Sequence, residues 1–173
     1  MNAGRIAVAF ILLAGIAAGV GVWWFQTRAF YDDAMPIDAV TLTVNGAPVA
    51  LYAEGTGIDA DSSPLRYRAC FQLLVPLPGT PTPAPEGAVP TIAPDWFDCY
   101  DAGDVAADLS EGRAVPVLAE ADVAYGIDRV GALYPDGRGF LWHQINRCGE
   151  EVFDGRPAPE GCPPPPDAEP PAS

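Results

Sequence analysis

AVTLTVNGAPVALYA, residues 39–53, decides the fold. Val40, Leu42 and Val44 alternate with Thr41 and Thr43, the chain meets Asn45-Gly46, and an apolar stretch resumes as APVALYA. Alternation at period two marks a strand with one buried face. Asn-Gly suits a type I′ turn, because both residues tolerate positive φ. The reading is a β-hairpin. Downstream, LRYRACFQLLV (65–75) puts Leu65, Tyr67, Ala69, Phe71, Leu73 and Val75 on one face of a half-buried strand. Arg66, Arg68 and Cys70 fall on the other face, with Asp59 and Asp61 upstream as ion-pair partners. A second hairpin is expected where YGIDRVGALY meets RGFLWHQI across Pro135-Asp136-Gly137. AVPVLA (114–119) reads as an edge strand, since Pro116 has no N–H for a central ladder.

Between these strands, residues 76–94 (PLPGTPTPAPEGAVPTIAP) lack periodicity and predict a long, partly extended surface loop. Asp104 is then expected to cap a short helix through Val105, Leu109 and Glu111, ended by Gly112. Beyond Cys148 regular patterning stops. The tail, 163–173 (PPPPDAEPPAS), reads as disordered or polyproline-like. The fold class is α+β, with an N-terminal transmembrane helix and a small, mainly antiparallel, disulfide-bonded β domain containing one short helix.

Residues 6–26, IAVAFILLAGIAAGVGVWWFQ, carry no charge, and their length matches ~30 Å of hydrocarbon at ~1.5 Å per residue. Trp23, Trp24 and Phe25 sit where an aromatic belt would lie. Arg5 precedes the segment, and Arg28 after it is answered by Asp32 and Asp33, so N-terminus-in is mildly favoured. Cleavage as a signal peptide at Ala17 and Gly19 would leave VGVWWF exposed, so the anchor reading is preferred. The expected organisation is an anchor over 1–28, a periplasmic domain over 29–162 and the tail, in a bacterial inner membrane with the N-terminus cytoplasmic. Gly15 and Gly19 form a G-x-x-x-G pair that would let two helices approach, giving a homodimer or a partner subunit.

The chain has 173 residues and a formal charge of −14, from 9 basic and 23 acidic residues, and every basic one is arginine. That balance repels phosphate backbones, so nucleic acid is not expected as a partner. The missing lysine removes Schiff-base chemistry and the P-loop lysine. Cys70, Cys99, Cys148 and Cys162 all follow the apolar segment. In an oxidising compartment they make two structural disulfides, with three connectivities open and nearest neighbours favoured on locality alone.

Chemistry is represented mainly by absences. His143 is the only histidine and shares its predicted strand face with Leu141 and Ile145, so a packed structural role is expected, with a ligand role beside Cys148 as the rival. There is no Cys-x-x-Cys motif. No nucleophile elbow surrounds Ser62, Ser63 or Ser110. The DADSS stretch (59–63) lacks the closing glutamate of a calcium loop. No cofactor and no metal site are expected.

DADSSPLRYRACF (59–71), APDWFDCYDA (93–102), YGIDRV (125–130) and WHQINRCGEEVFDG (142–155), followed by EGCPPPP, are more specific than an acidic domain requires. With the anchor, they resemble a family of small membrane-anchored alphaproteobacterial proteins of uncharacterised function. The resemblance spans nearly the whole chain and implies neither an activity nor catalytic residues. Some look-alikes carry the label histidine kinase, against which this chain lacks the length and glycine boxes of a nucleotide-binding domain.

The functional expectation is a non-catalytic, membrane-anchored periplasmic accessory module that docks an envelope protein. Arg66, Arg68, Trp96 and Trp142 are the candidate contacts, since Arg and Trp dominate interface energetics. Both tryptophans could instead be core, with both arginines paired to the acidic surface. The alternative function is an envelope protein handling thiols or copper through a labile disulfide or a Cys/His site.

Overall fold

In the computed structural model, which describes residues 3–29, 31 and 33–166, the Asn45-Gly46 hairpin forms as expected. Strands β1 (Met35–Val44) and β2 (Ala47–Ile58) pair antiparallel with Val44 opposite Ala47. Asn45 and Gly46 take φ of 51° and 79°, the left-handed values that a type I′ turn needs. Four further strands follow, β3 (Arg68–Leu73), β4 (Val115–Ala124), β5 (Ile127–Leu133) and β6 (Arg138–Ile145). Among the described residues they make one antiparallel sheet of six strands in the order β1-β2-β3-β6-β5-β4. Pro116 accordingly lies on an edge strand, where its missing N–H costs no ladder bond.

The sheet curls until its two edges nearly meet, and residues 80–82 fill the seam. Thr82 N–H donates to the Thr43 carbonyl of β1 (2.8 Å), while the Thr82 carbonyl accepts from Leu118 N–H of β4 (2.8 Å). Thr43 Oγ1 donates directly across the seam to the Ala119 carbonyl (3.0 Å). Inside the curl, Val40, Leu42, Leu51, Phe71, Val117 and Leu141 form one apolar cluster. A second cluster covers the outer face, where Ile58, Phe140 and Trp142 meet Phe97 and Tyr100 from the segment that follows the proline-rich loop and Val105 from a helix. Strands β3 and β6 are therefore buried on both faces.

Three helices complete the described chain, α1 (Ala3–Thr27), α2 (Ala102–Ser110) and α3 (Arg147–Phe153). The cap of α2 is Asp101, three residues earlier than the sequence suggested. Its Oδ1 accepts from Gly103 N–H (2.7 Å) and Asp104 N–H (3.0 Å). Asp104 then lies in the first turn, where its charge complements the helix dipole. Helix α3 was not expected. Asn146 caps it by accepting from Cys148 and Gly149 N–H, and its amide donates to buried Asp128 (2.9 Å). Gly149 packs so closely on the β4–β5 turn that a Cβ there would lie 2.3 Å from the Gly126 carbonyl.

The bridges are Cys70–Cys99 and Cys148–Cys162, with Cα separations of 6.2 and 5.7 Å. The first ties β3 to the loop before α2. The second closes 14 residues over α3, a constraint worth about 3 kcal/mol in the chain-entropy account. Replacing Cys148 and Cys162 together by serine is expected to lower stability by about that amount, read as a shifted denaturant midpoint. None of the described α1 residues is buried. A long apolar helix followed by a disulfide-bonded domain suits a membrane-anchored or secreted protein. Asp32 and the tail from residue 167 lie outside the described residues.

Candidate functional site: an apolar cleft at the far end of the sheet

Strand β1 leads away from α1, which makes the two ends of the sheet unequal. One end, with Met35, Ile58, Arg68 and Ile145, is nearest the helix in the chain. The other carries the Asn45-Gly46 turn, Leu73 and the β5–β6 turn. The ten residues of β1 separate them by about 30 Å.

All four candidate contact residues take part in internal interactions, around the loop and the helix junction. Arg68 is 4 % exposed, and its guanidinium donates to the carbonyls of Leu65, Tyr67, Thr91 and Ile92 at 2.6–3.0 Å. Burial lowers its pKa, which is the largest influence on it. Trp142 is fully buried and meets Tyr100 edge-on at 6.3 Å. Both side chains lie inside the domain. Trp96 is half-buried and donates through Nε1 to the Thr27 carbonyl, the last residue of α1 (2.5 Å). Arg28 lies over the Trp96 ring and Arg66 over Tyr31, at 5.5 and 5.3 Å. Gly15 and Gly19 stand on the open surface of α1.

His143 is 5 % exposed and stacks on Tyr67 with ring centroids 4.7 Å apart. Its Nε2 accepts from Arg129 Nε (3.1 Å), which places the ring proton on Nδ1, facing the Pro64 carbonyl. Arg129 also pairs with Glu120 (3.1 Å) and covers the Tyr67 ring at 4.3 Å. Burial is the main cause lowering the His143 pKa; the Pro64 contact opposes it and the Arg129 charge adds to it. The unfolded histidine accepts a proton near pH ~6.5 while the folded one resists, so the unfolded state binds more protons in that window. Stability from this site is thus complete above that pH and lost as pH falls toward the lower folded value. Thermal melts between pH 7.5 and 5.5 are expected to show a downward slope that is shallower in His143→Gln.

The chemistry that remains is apolar. At the far end, a cleft of about 590 Å³ lies between Leu73–Leu77, Gly112–Val115 and the β5–β6 turn. Leu73, Val75, Leu77, Pro81 and Leu133 line it, and Leu74 and Val115 stand 58 % and 49 % exposed at its edge. Its size is that of small-molecule and peptide pockets. The polar groups beside it are already engaged. Tyr134 donates to Asp108, and that hydrogen bond is the largest cause holding the Asp108 carboxyl below its usual range. Arg113 pairs with Asp108 and Glu111, and Arg138 lies 4.1 Å over the Tyr134 ring. Tyr134, Asp136 and Arg113 form the polar side of the cleft, and the rest of its lining is apolar. Sequence reasoning missed it because three segments distant in the chain make it.

A second, open hollow borders the Cys70–Cys99 bridge beside Glu54, Gln72 and Arg138. Cys99 is exposed there, whereas Cys148 is buried in the other bridge. Among the described residues no three of His, Cys, Asp and Glu are grouped for a metal ion.

No curated protein and no solved structure matches the chain. A family model matches residues 38–163, from β1 through the second disulfide, and so spans both bridges, the seam and the cleft. On that match the chain belongs to the family of unknown function DUF6446.

Proposed function

We propose that this protein is a non-catalytic accessory module, anchored by α1 in a bacterial inner membrane, whose periplasmic domain docks an apolar segment of an envelope protein in the far cleft. The open apolar cleft carries the reading, with exposed Leu74 and Val115 at its edge and every neighbouring charge already paired. The bridges favour an oxidising compartment, and Trp23, Trp24 and Phe25 suit the outer interface of a helix that enters from the cytoplasm. Gly15 and Gly19 offer a second surface, to another copy of the helix.

Photo-crosslinking groups at Leu74 and Val115, in intact membranes, test it. Both positions are expected to capture the same partner, with Val115→Asp reducing capture from position 74 about tenfold. Equal capture from Tyr52, which is 72 % exposed on β2, or capture indifferent to Val115→Asp, would end the reading.

The exposed Cys99 supports a second reading, in which the Cys70–Cys99 bridge exchanges with thiols. Opening within the glutathione range, about −180 to −260 mV, would support it, while resistance below about −300 mV would dismiss it. Mass-shift alkylation across a glutathione series reads this directly. The copper form has no such support, because all four cysteines are bridged and both His143 nitrogens are engaged.

A further inference from the structure

Ile92 is 81 % exposed, more than any other large hydrophobic side chain among the described residues, and Val89 nearby is 67 % exposed. An exposed apolar side chain on a loose loop means little. This loop is not loose. Val89 N–H donates to Gln144 Oε1 (2.8 Å), and Gln144 Nε2 returns to the Gly87 carbonyl (3.3 Å). Arg68 holds the Thr91 and Ile92 carbonyls at 2.9 and 3.0 Å. Pro90 and Pro94 restrict the backbone between and beyond these anchors. A buried guanidinium is thus committed to fixing the backbone of a residue whose side chain faces outward.

The same loop touches the end of α1. Trp96 donates to the Thr27 carbonyl, Arg28 covers its ring, and Tyr31 meets it edge-on at 6.0 Å. Ile92 lies four residues from Trp96, a reach of at most ~14 Å. Tryptophan prefers the level where hydrocarbon gives way to headgroups. Trp23 and Trp24 sit one helical turn before Thr27.

We propose that residues 87–96 are a second membrane contact, seating Val89 and Ile92 in the headgroup layer of the bilayer that α1 crosses. The proposal rests on the anchor reading of α1. The lipid surface is zwitterionic, because Glu86, Asp95 and Asp98 flank the loop and the chain carries −14 overall, which disfavours anionic headgroups. With the helix and the loop both engaged, the domain has two points of attachment, and the far cleft is directed away from the membrane.

The test uses the full chain in phosphatidylcholine nanodiscs, with a thiol-reactive fluorophore at Ile92→Cys, Val89→Cys, Tyr52→Cys or Ile16→Cys. All four native cysteines are bridged, so the introduced thiol alone is labelled. Positions 89 and 92 are expected to be quenched several-fold more strongly by headgroup-nitroxide lipid than position 52, and several-fold less by iodide. Position 16 is expected to respond to a deep acyl-chain nitroxide. Water exposure at 92 with a lipid-buried position 16 overturns the proposal and leaves the anchor standing. Shielding of 92 from iodide without lipid quenching means that protein covers it, and also overturns the proposal. Water exposure at 16 removes the anchor and the proposal together.

Discussion

Trp142→Ala is expected to cost about 3–5 kcal/mol of stability, a large share of the roughly 5–15 kcal/mol that a domain commonly has. Trp142 has the largest of the fully buried side chains and sits between Arg68 of β3 and Val130 of β5 in the sheet register. Its ring joins Tyr100 and the loop segment to the sheet, so truncation opens a cavity where two layers meet. The indole Nε1 has no hydrogen-bond partner, so losing that donor strands no acceptor. Trp142→Phe should therefore cost only about 1–2 kcal/mol, the loss of volume alone. Denaturant midpoints followed by near-ultraviolet circular dichroism measure both. Equal costs for the two variants would mean that the nitrogen, and not the volume, is what the fold uses.

The second large effect is Arg68→Met, expected at about 3–5 kcal/mol, similar to removing one partner of a buried charged pair. Methionine roughly keeps the length of the side chain but leaves four carbonyls without their donor. Those of Leu65 and Tyr67 border β3, while those of Thr91 and Ile92 belong to the loop. Arg68→Lys should recover little, since one compact ammonium lacks the planar fork that reaches acceptors on two segments. A distinctive readout is local. Limited proteolysis should cut between residues 87 and 96 in Arg68→Met well below its melting temperature, while cleavage there in Trp142→Phe stays as slow as in the parent.

These two residues also show where the sequence was readable. Val40, Leu42 and Val44 before Asn45-Gly46 were legible because strand period and turn chemistry are both local. Pro116 announced an edge for the same reason. The second half of β4 was not legible, since register shifts at Leu118/Glu120 and Glu120/Ala124 break the alternation. Helix α3 is seven residues long, too short for a period to show, and only Asn146 hinted at its start. Arg68 and Trp142 carry chemistry that suits a partner contact and an interior equally well. A guanidinium that can bind a partner can also satisfy loop carbonyls, and burial is decided by the loop that folds over it. The cleft depends on the meeting of residues 73–77, 112–115 and 133–137, which no local pattern encodes.

The three-residue splint at the seam bears on how the chain must be handled before it is finished. In synthesis, β1 and β2 emerge before the other strands, and the outer edge of β1 has no neighbour until Thr82 arrives and β4 follows. For that interval the growing hairpin offers a bare backbone row to any strand it meets, the starting point of edge-to-edge aggregation. Closure comes from a proline-rich stretch that cannot itself extend into a long strand, so the splint ends the edge without creating a new one. A single proteolytic nick beside Thr82 would expose both margins at once, and a domain so cut should self-associate before it unfolds.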